Sequence, residues 1–186
     1  INVKNATEIL RNKDGLDNLH LGYGNEKALN QLLSHHGIIF KPEQKLVWVS
    51  ANPYQLGEFV CYDLNTIFTK ENEKGVSLQQ ENLIIPKDTF LETVEYKNYE
   101  LFRIEDRKMD VFLDSKKEMP LDFDKKYQSL NPDYWVVYYK VGLYFYQIKQ
   151  YQLAKENFQK ALTKEITTLP EKLKIEKYLK KIERKL

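Results

Sequence analysis

The chain has 186 residues, of which 42% are hydrophobic and 13% aromatic, a composition typical of a packed globular protein and not of a disordered one. Its 29 basic and 27 acidic residues leave a formal charge of +2, so the overall charge predicts neither a nucleic-acid partner nor an anionic membrane surface. The single cysteine, Cys61, excludes an internal disulfide, and no apolar run reaches the roughly 18 residues of a membrane span.

Two helices are predicted before the first strand. Residues 5–11 are predicted to form a short helix capped by Asn5, and the following NKDG has the composition of a turn. Apolar residues recur at helical spacing within residues 25–34, so we expect a second helix there, ending near Gly37.

Three strands follow these helices. GIIF and KLVWVS, joined by KPEQ, are predicted to form an antiparallel hairpin, and EFVCYDL is predicted to form the third strand. The runs Ile38-Ile39-Phe40 and Val47-Trp48-Val49 are apolar at successive positions, so both faces of the sheet need apolar cover. Three strands and one helix cannot supply that cover, and we therefore expect an N-terminal companion segment of the same protein.

The middle of the chain is predicted to be a loop, a long helix and a linker. Residues 69–82 are polar and contain Gly75, which indicates a loop. Thr89 and Glu92 have the spacing of a capping box at the start of a long helix that should end before Pro120. We therefore expect a first domain over residues 1–119, a linker over 120–130 and a helical module over 131–186.

The helical module resembles a tetratricopeptide repeat followed by a capping helix. The repeat requires aromatic, aliphatic and small residues at fixed offsets, and eight positions match in order. These positions are Tyr138, Val141, Gly142, Phe145, Tyr151, Ala154, Phe158 and Ala161. Gly142 and Ala154 are expected to let the two helices approach closely. The lysine-rich side of the last helix is interpreted either as a solvated face or as a basic docking surface.

A second resemblance lies in GYGNEKALNQLLSHHGIIFKPEQKLVWVSANPYQLGEFVCYDLN. This segment is similar to the C-terminal half of the acyl-CoA:6-aminopenicillanic-acid acyltransferase family, a family of autoproteolytic N-terminal-nucleophile hydrolases. The matching features, in order, are a helix, a histidine-led strand, a short turn, a WVS strand, a loop with an aromatic residue and a glycine, and a further strand. The resemblance covers residues 1–115.

The resemblance implies an α+β fold, namely the C-terminal part of an αββα sandwich, here followed by the helical module. It also implies cleavage or transfer of an acyl group at a linear amide by a cysteine that autoproteolysis leaves at a new N-terminus, where the terminal amine serves as the base. Ile1 is not a nucleophile and Cys61 lies within a strand, so the nucleophile is expected outside this chain, which should be inactive alone.

Further expectations concern the substrate and the surroundings of such an enzyme. The resemblance implies a small acyl-amide substrate, such as a penicillin side chain, a bile-acid conjugate or an N-acyl amino acid. It also favours a periplasmic or extracytoplasmic location, which the residues themselves do not decide.

Three residues are candidates for a site in this chain. His36 begins a strand and could face a substrate cleft, and a hydrogen-bonding role at the junction is the alternative. Trp48 and Tyr54 could line an acyl pocket, with core packing as the alternative for Trp48. The three histidines lack accompanying carboxylates or cysteines at ligand spacing, and no phosphate-binding or dinucleotide-binding loop occurs, so neither a metal nor a cofactor is predicted.

The alternative function comes from a different class. The chain could be a non-enzymatic interaction protein in which the tetratricopeptide-like helices hold a partner and the sheet is a scaffold. One repeat with a cap is too short to form the long concave groove of larger arrays, so we interpret it as an appended helical module whose apolar edge packs on the preceding domain.

Overall fold

The computed structural model describes residues 2–67, 77–115 and 117–186. These residues form a mixed α+β structure with seven α-helices and one three-stranded antiparallel sheet. The chain divides into two compact units. The sheet unit comprises Ile1–Lys13 and Ala28–Glu92, and the helical unit comprises Asp14–Lys27 and Thr93–Leu186. Within the described ranges, none of the helices combines the length and apolar character that a membrane span requires.

The sheet unit begins with helix α1 (Val3–Leu10). Its N-cap is Asn2, whose side chain accepts a hydrogen bond from the backbone N–H of Asn5 at 2.8 Å. The cap therefore lies three residues before the position that the sequence indicated, because the asparagine side chain that satisfies the first turn is that of Asn2.

The predicted hairpin and third strand are confirmed. Strands β1 (Ile38–Lys41), β2 (Leu46–Ser50) and β3 (Phe59–Asp63) lie in the order β1-β2-β3, and both neighbouring pairs are antiparallel. The short helix α2 (Leu64–Ile67) follows β3. Most of the loop predicted over residues 69–82 lies outside the described residues.

The core of the sheet unit lies on one face of the sheet. Trp48, Phe59 and Cys61 are buried there, and Leu10 of α1 packs against them. Since side chains alternate along a strand, residues one position away from Trp48 and Cys61 point to the opposite face.

The helix predicted over residues 25–34 is wrong. The structure has turns in this segment, and Leu32 adopts a positive φ of 53°. Asn30 explains the difference: its Oδ1 accepts a hydrogen bond from the N–H of Leu32, and its Nδ2 donates to the carbonyl of Tyr54. An asparagine side chain that bonds the backbone locally competes with the hydrogen bonds of a helix.

The helical unit contains five helices: α3 (Val94–Ser115), α4 (Phe123–Leu130), α5 (Trp135–Gln147), α6 (Tyr151–Leu162) and α7 (Leu169–Glu183). The side chain of Thr93 accepts a hydrogen bond from the N–H of Tyr96, so Thr93, and not Thr89, caps α3. Helix α4 occupies the segment expected to be a linker, and its Phe123 and Tyr127 are buried and stacked on each other.

The predicted helical hairpin and third helix are present as α5, α6 and α7. A Cβ added to Gly142 of α5 would lie 2.9 Å from two ring carbons of Phe158 on α6, so this glycine permits the close approach of the two helices. Thr168 and Glu171 form a capping box at the start of α7. Membership of the tetratricopeptide family stays a prediction.

Candidate functional site

Two of the predicted site residues lie at the same end of the sheet. His36 is exposed and lies two residues before the start of β1, whereas Tyr54 is half-buried in the connection between β2 and β3. The antiparallel register pairs Ile38 with Val49 and Ser50 with Phe59, so the start of β1, the end of β2 and the start of β3 meet at this end. The structure thus brings His36 and Tyr54 to one end of the sheet.

Trp48 lies elsewhere, in the middle of β2. Its side chain is only 3% exposed, and its indole Nε1 donates a hydrogen bond to the carbonyl of Leu83 at 2.8 Å. The indole also borders an open cleft of about 380 Å³ together with Leu46 and Ile85. Its buried position and satisfied indole fit the core-packing interpretation.

Cys61 has the environment of an unreactive thiol. It is fully buried in β3 and forms no disulfide. Burial, and next the negative charge of Asp63, raise the pKa of the Cys61 thiol. Because the thiolate is the nucleophilic form, this environment opposes a catalytic role for Cys61.

The face of the sheet opposite α1 is apolar and incompletely covered. This outer face consists of Ile38, Phe40, Val47, Val49, Val60 and Tyr62. Ile38 is 50% exposed and Phe40 is 61% exposed, although both stand beside valines of the neighbouring strand. Large apolar side chains grouped on one sheet face are typical of a surface that another layer covers.

The two edges of the sheet differ. The backbone of Phe59 in β3 exchanges two hydrogen bonds with Ile85, at 3.0 and 3.1 Å, so part of that edge is paired. Strand β1 is the other edge, and among the described strands it pairs with β2 alone. The most exposed apolar residues of the outer face therefore lie on the open edge strand.

A polar cleft of about 660 Å³ lies within the helical unit, beside the connection between α6 and α7. His20 lies between two carboxylates, with Nδ1 3.3 Å from Asp14 and Nε2 3.7 Å from Asp133. Lys164 forms an ion pair of 2.7 Å with the same Asp133. Asp133 is thus shared between Lys164 and His20, and the described residues contain no group of three or more His, Cys, Asp or Glu side chains fit to hold a metal ion.

Sequence reasoning missed this cleft because its members are far apart along the chain. Lys27 pairs with Glu165, and the lining residues come from the segment before residue 28, from Asp133 ahead of α5, and from the α6–α7 connection with the adjoining ends of both helices. No local motif marks such a set, since only the packing of distant segments brings it together.

The chain matches no family model, no curated protein and no solved structure.

Proposed function

We propose that the chain is the C-terminal portion of an autoproteolytic amidohydrolase or acyltransferase that cleaves or transfers an acyl group at a linear amide. In this proposal a companion segment of the same protein supplies the cysteine nucleophile. The observation that supports it is the outer face of the sheet, where Ile38 and Phe40 remain half or more exposed.

The layer order supports the same interpretation. An αββα sandwich has a helix layer, two sheets packed about 10 Å apart and a second helix layer. The sheet unit has α1 on one face and an apolar outer face on the other, which is where a second sheet would pack. Covering the exposed parts of Ile38 and Phe40 would contribute roughly 1 kcal/mol each to the stability of the assembled protein.

The chemistry divides between the two segments. The companion's terminal cysteine thiol would give its proton to the terminal amine and attack the amide carbonyl. The C–N bond then breaks, the leaving amine takes that proton from the terminal ammonium, and the acyl group stays on sulfur as a thioester that water or an acceptor amine cleaves, regenerating the thiol. Cys61 is too deeply buried to replace that thiol. His36 and Tyr54, at one end of the sheet, are the residues of this chain that we propose to border the substrate.

Protein from the native source tests the proposal directly. Intact-mass analysis with N-terminal sequencing should find this sequence within a longer chain that begins with cysteine after self-cleavage. A single 22.2 kDa species beginning at or just before Ile1 would overturn the proposal.

A matched pair of variants tests the role of the outer face. Phe40→Ser should barely change the stability of the isolated chain, because the side chain is already exposed, but should impair self-cleavage and amidase activity of the native protein. Leu121→Ser is the control, since Leu121 is 93% exposed and lies in the helical unit. Equal activity of the Phe40 and Leu121 variants would refute a covering layer at this face.

A further inference from the structure

The last three helices carry a charge that the chain as a whole does not. Residues 135–186 contain 12 basic and five acidic residues, whereas the whole chain has 29 and 27. Residues 135–186 therefore have a formal net charge of +7, and the rest of the chain has a negative net charge, so the two nearly cancel in the total of +2. Such a segment attracts anionic groups locally even though the whole molecule has no strong field.

Charge is also segregated around α7. Ile175 and Ile182 are buried and define the inward side of the helix. At 100° per residue, Lys174 and Lys181 lie on one flank of that side, and Lys185 follows just beyond the end of the helix. Glu176 and Glu183 lie on the opposite flank. One flank of α7 therefore carries Lys174 and Lys181, and the acidic residue on that side, Glu171, lies in the first turn, where it forms the capping box with Thr168.

Tyrosines of three helices lie under these lysines. The ammonium of Lys174 is 5.4 Å from the ring centroid of Tyr139, and that of Lys181 is 5.6 Å from the centroid of Tyr178. Lys185 lies 4.9 Å from the centroid of Tyr151. We call this surface the lysine–tyrosine face. It consists of Lys174, Lys181, Lys185, Tyr139, Tyr146, Tyr151 and Tyr178.

The rings of this face are fixed by packing. Tyr178 stacks on Phe158 with centroids 5.2 Å apart and meets Tyr146 edge-on at 5.1 Å. Cation–π contact with fixed rings holds the lysines in place without neutralising their charge. None of the three lysines forms an ion pair with another described residue. The hydrogen bond that Lys185 donates to Tyr151, at 3.0 Å, raises the pKa of that lysine, which keeps it cationic.

We propose that the lysine–tyrosine face binds an acidic segment, rich in Asp and Glu, of a partner protein. Carboxylates of that segment would accept hydrogen bonds from the three ammonium groups. The rise from Lys174 to Lys185 is about 16 Å, which matches about five residues of an extended peptide. This inference does not depend on the function proposed for the sheet unit.

The same geometry disfavours other anionic partners. Single-stranded nucleic acid binds by stacking bases on open aromatic faces, but the ring of Tyr178 is stacked on Phe158 and lysines lie over the other rings. A membrane surface requires apolar side chains that enter the lipid, and the face presents lysines and tyrosines instead.

Fluorescence anisotropy with the whole chain tests the proposal. The probe is a labelled oligoglutamate peptide at low ionic strength, and the comparison probes are an oligoglutamine peptide, an oligothymidine of equal length and phosphatidylglycerol vesicles. We expect oligoglutamate to bind most tightly, with an affinity that falls as salt is added because exposed charge contacts are screened.

Two variants with equal loss of charge locate the surface. The face variant combines Lys174→Ala, Lys181→Ala and Lys185→Ala, and the control combines Lys160→Ala, Lys172→Ala and Lys180→Ala. All six lysines are exposed, so circular dichroism should report unchanged folding. We expect the face variant to lose about tenfold in affinity for oligoglutamate and the control less than about twofold.

Specific outcomes would overturn the proposal. These are absence of oligoglutamate binding, equal losses in the two variants, or tighter binding of oligothymidine or vesicles than of oligoglutamate. A single charge reversal, Lys181→Glu, provides a second variant with less disturbance of the helix, and it should also weaken binding. Retention of full affinity by Lys181→Glu would count against the proposed surface.

Discussion

Replacement of Gly142 by alanine tests how tightly the α5–α6 hairpin is packed. The added methyl group would lie 2.9 Å from the Cδ1 and Cε1 atoms of Phe158, which is closer than ordinary contacts between carbon atoms allow. Phe158 is fully buried and is stacked on Tyr178, so its ring cannot move aside without losing that contact. We therefore expect Gly142→Ala to destabilise the hairpin.

The size of the effect follows from two opposing contributions. Alanine is more favourable than glycine within a helix by about 1 kcal/mol. Overpacking of a tightly packed core costs about 1 to 3 kcal/mol. The clash with a ring that is held on its far side places the cost near the middle of that range, so the free energy of unfolding should fall by about 1 kcal/mol.

Urea unfolding followed by far-ultraviolet circular dichroism measures this change, with a lower midpoint and an unchanged slope as the expected result. The double variant with Phe158→Leu provides the control, because leucine lacks the ring atoms that the methyl group meets. In that background Gly142→Ala should be neutral or stabilising. The reasoning fails if Gly142→Ala stabilises the native sequence, or if its cost is the same in both backgrounds.

Two further predictions concern polar groups of the helical unit. Burial alone would raise the pKa of Glu105, but hydrogen bonds from Lys126 and Lys108 outweigh burial and lower the pKa. The ionised Glu105 therefore stabilises the folded protein at pH values above the pKa of this group in the unfolded chain. That stabilisation is lost as the pH falls through the lower pKa of the folded protein. Urea midpoints should therefore decrease more steeply below about pH 4 for the native sequence than for Glu105→Gln, and parallel curves would contradict this. The Tyr139 hydroxyl is buried and meets no partner at hydrogen-bond geometry among the described residues, although it lies near enough to the Lys174 ammonium to raise the pKa of that lysine. Because the geometry of a hydrogen bond is not met, Tyr139→Phe should stabilise the protein by about 1 kcal/mol. Tyr127→Phe removes a hydroxyl that donates a hydrogen bond to Asp106 and should destabilise the protein. Calorimetry should therefore show a higher unfolding temperature for Tyr139→Phe and a lower one for Tyr127→Phe, and changes of the same sign would contradict these predictions.

The strands were predictable because their signals are local. Apolar runs and a four-residue connection sufficed to place β1 and β2 within one residue of their observed bounds. The helix predicted over residues 25–34 failed for the opposite reason. Its leucines have helical spacing, but the backbone there is directed by the side chain of Asn30, whose partners include Tyr54, a residue distant in the sequence.

Helix α4 had a signal that the polar composition of its segment concealed. Phe123, Tyr127 and Leu130 stand at helical spacing and are all buried, so the period of three to four residues was present in a stretch interpreted as a linker. Their rings and side chains give this segment a packed environment instead of a solvated one. Periodicity was therefore a better guide than average polarity.

The candidate sites were predictable only in part. The position of His36 and Tyr54 at one end of the sheet follows from antiparallel pairing, which the sequence indicated. The lysines of α7 were visible as a stripe, but the rings beneath them come from Tyr139 on α5 and Tyr151 on α6 and depend on hairpin packing. The sequence thus shows that lysines recur on this helix, but only the packing of α5, α6 and α7 shows which aromatic rings lie beneath them.

The outer face of the sheet is apolar in the sequence and partly exposed in the structure. In the run Ile38-Ile39-Phe40, only Ile39 joins the core, while its two neighbours remain half or more exposed. An edge strand facing water on one side normally carries polar residues at those positions, because apolar side chains there favour association with other strands. The companion segment proposed above would cover Ile38 and Phe40 with a further layer. That contact requires no movement of α1, which already covers the opposite face.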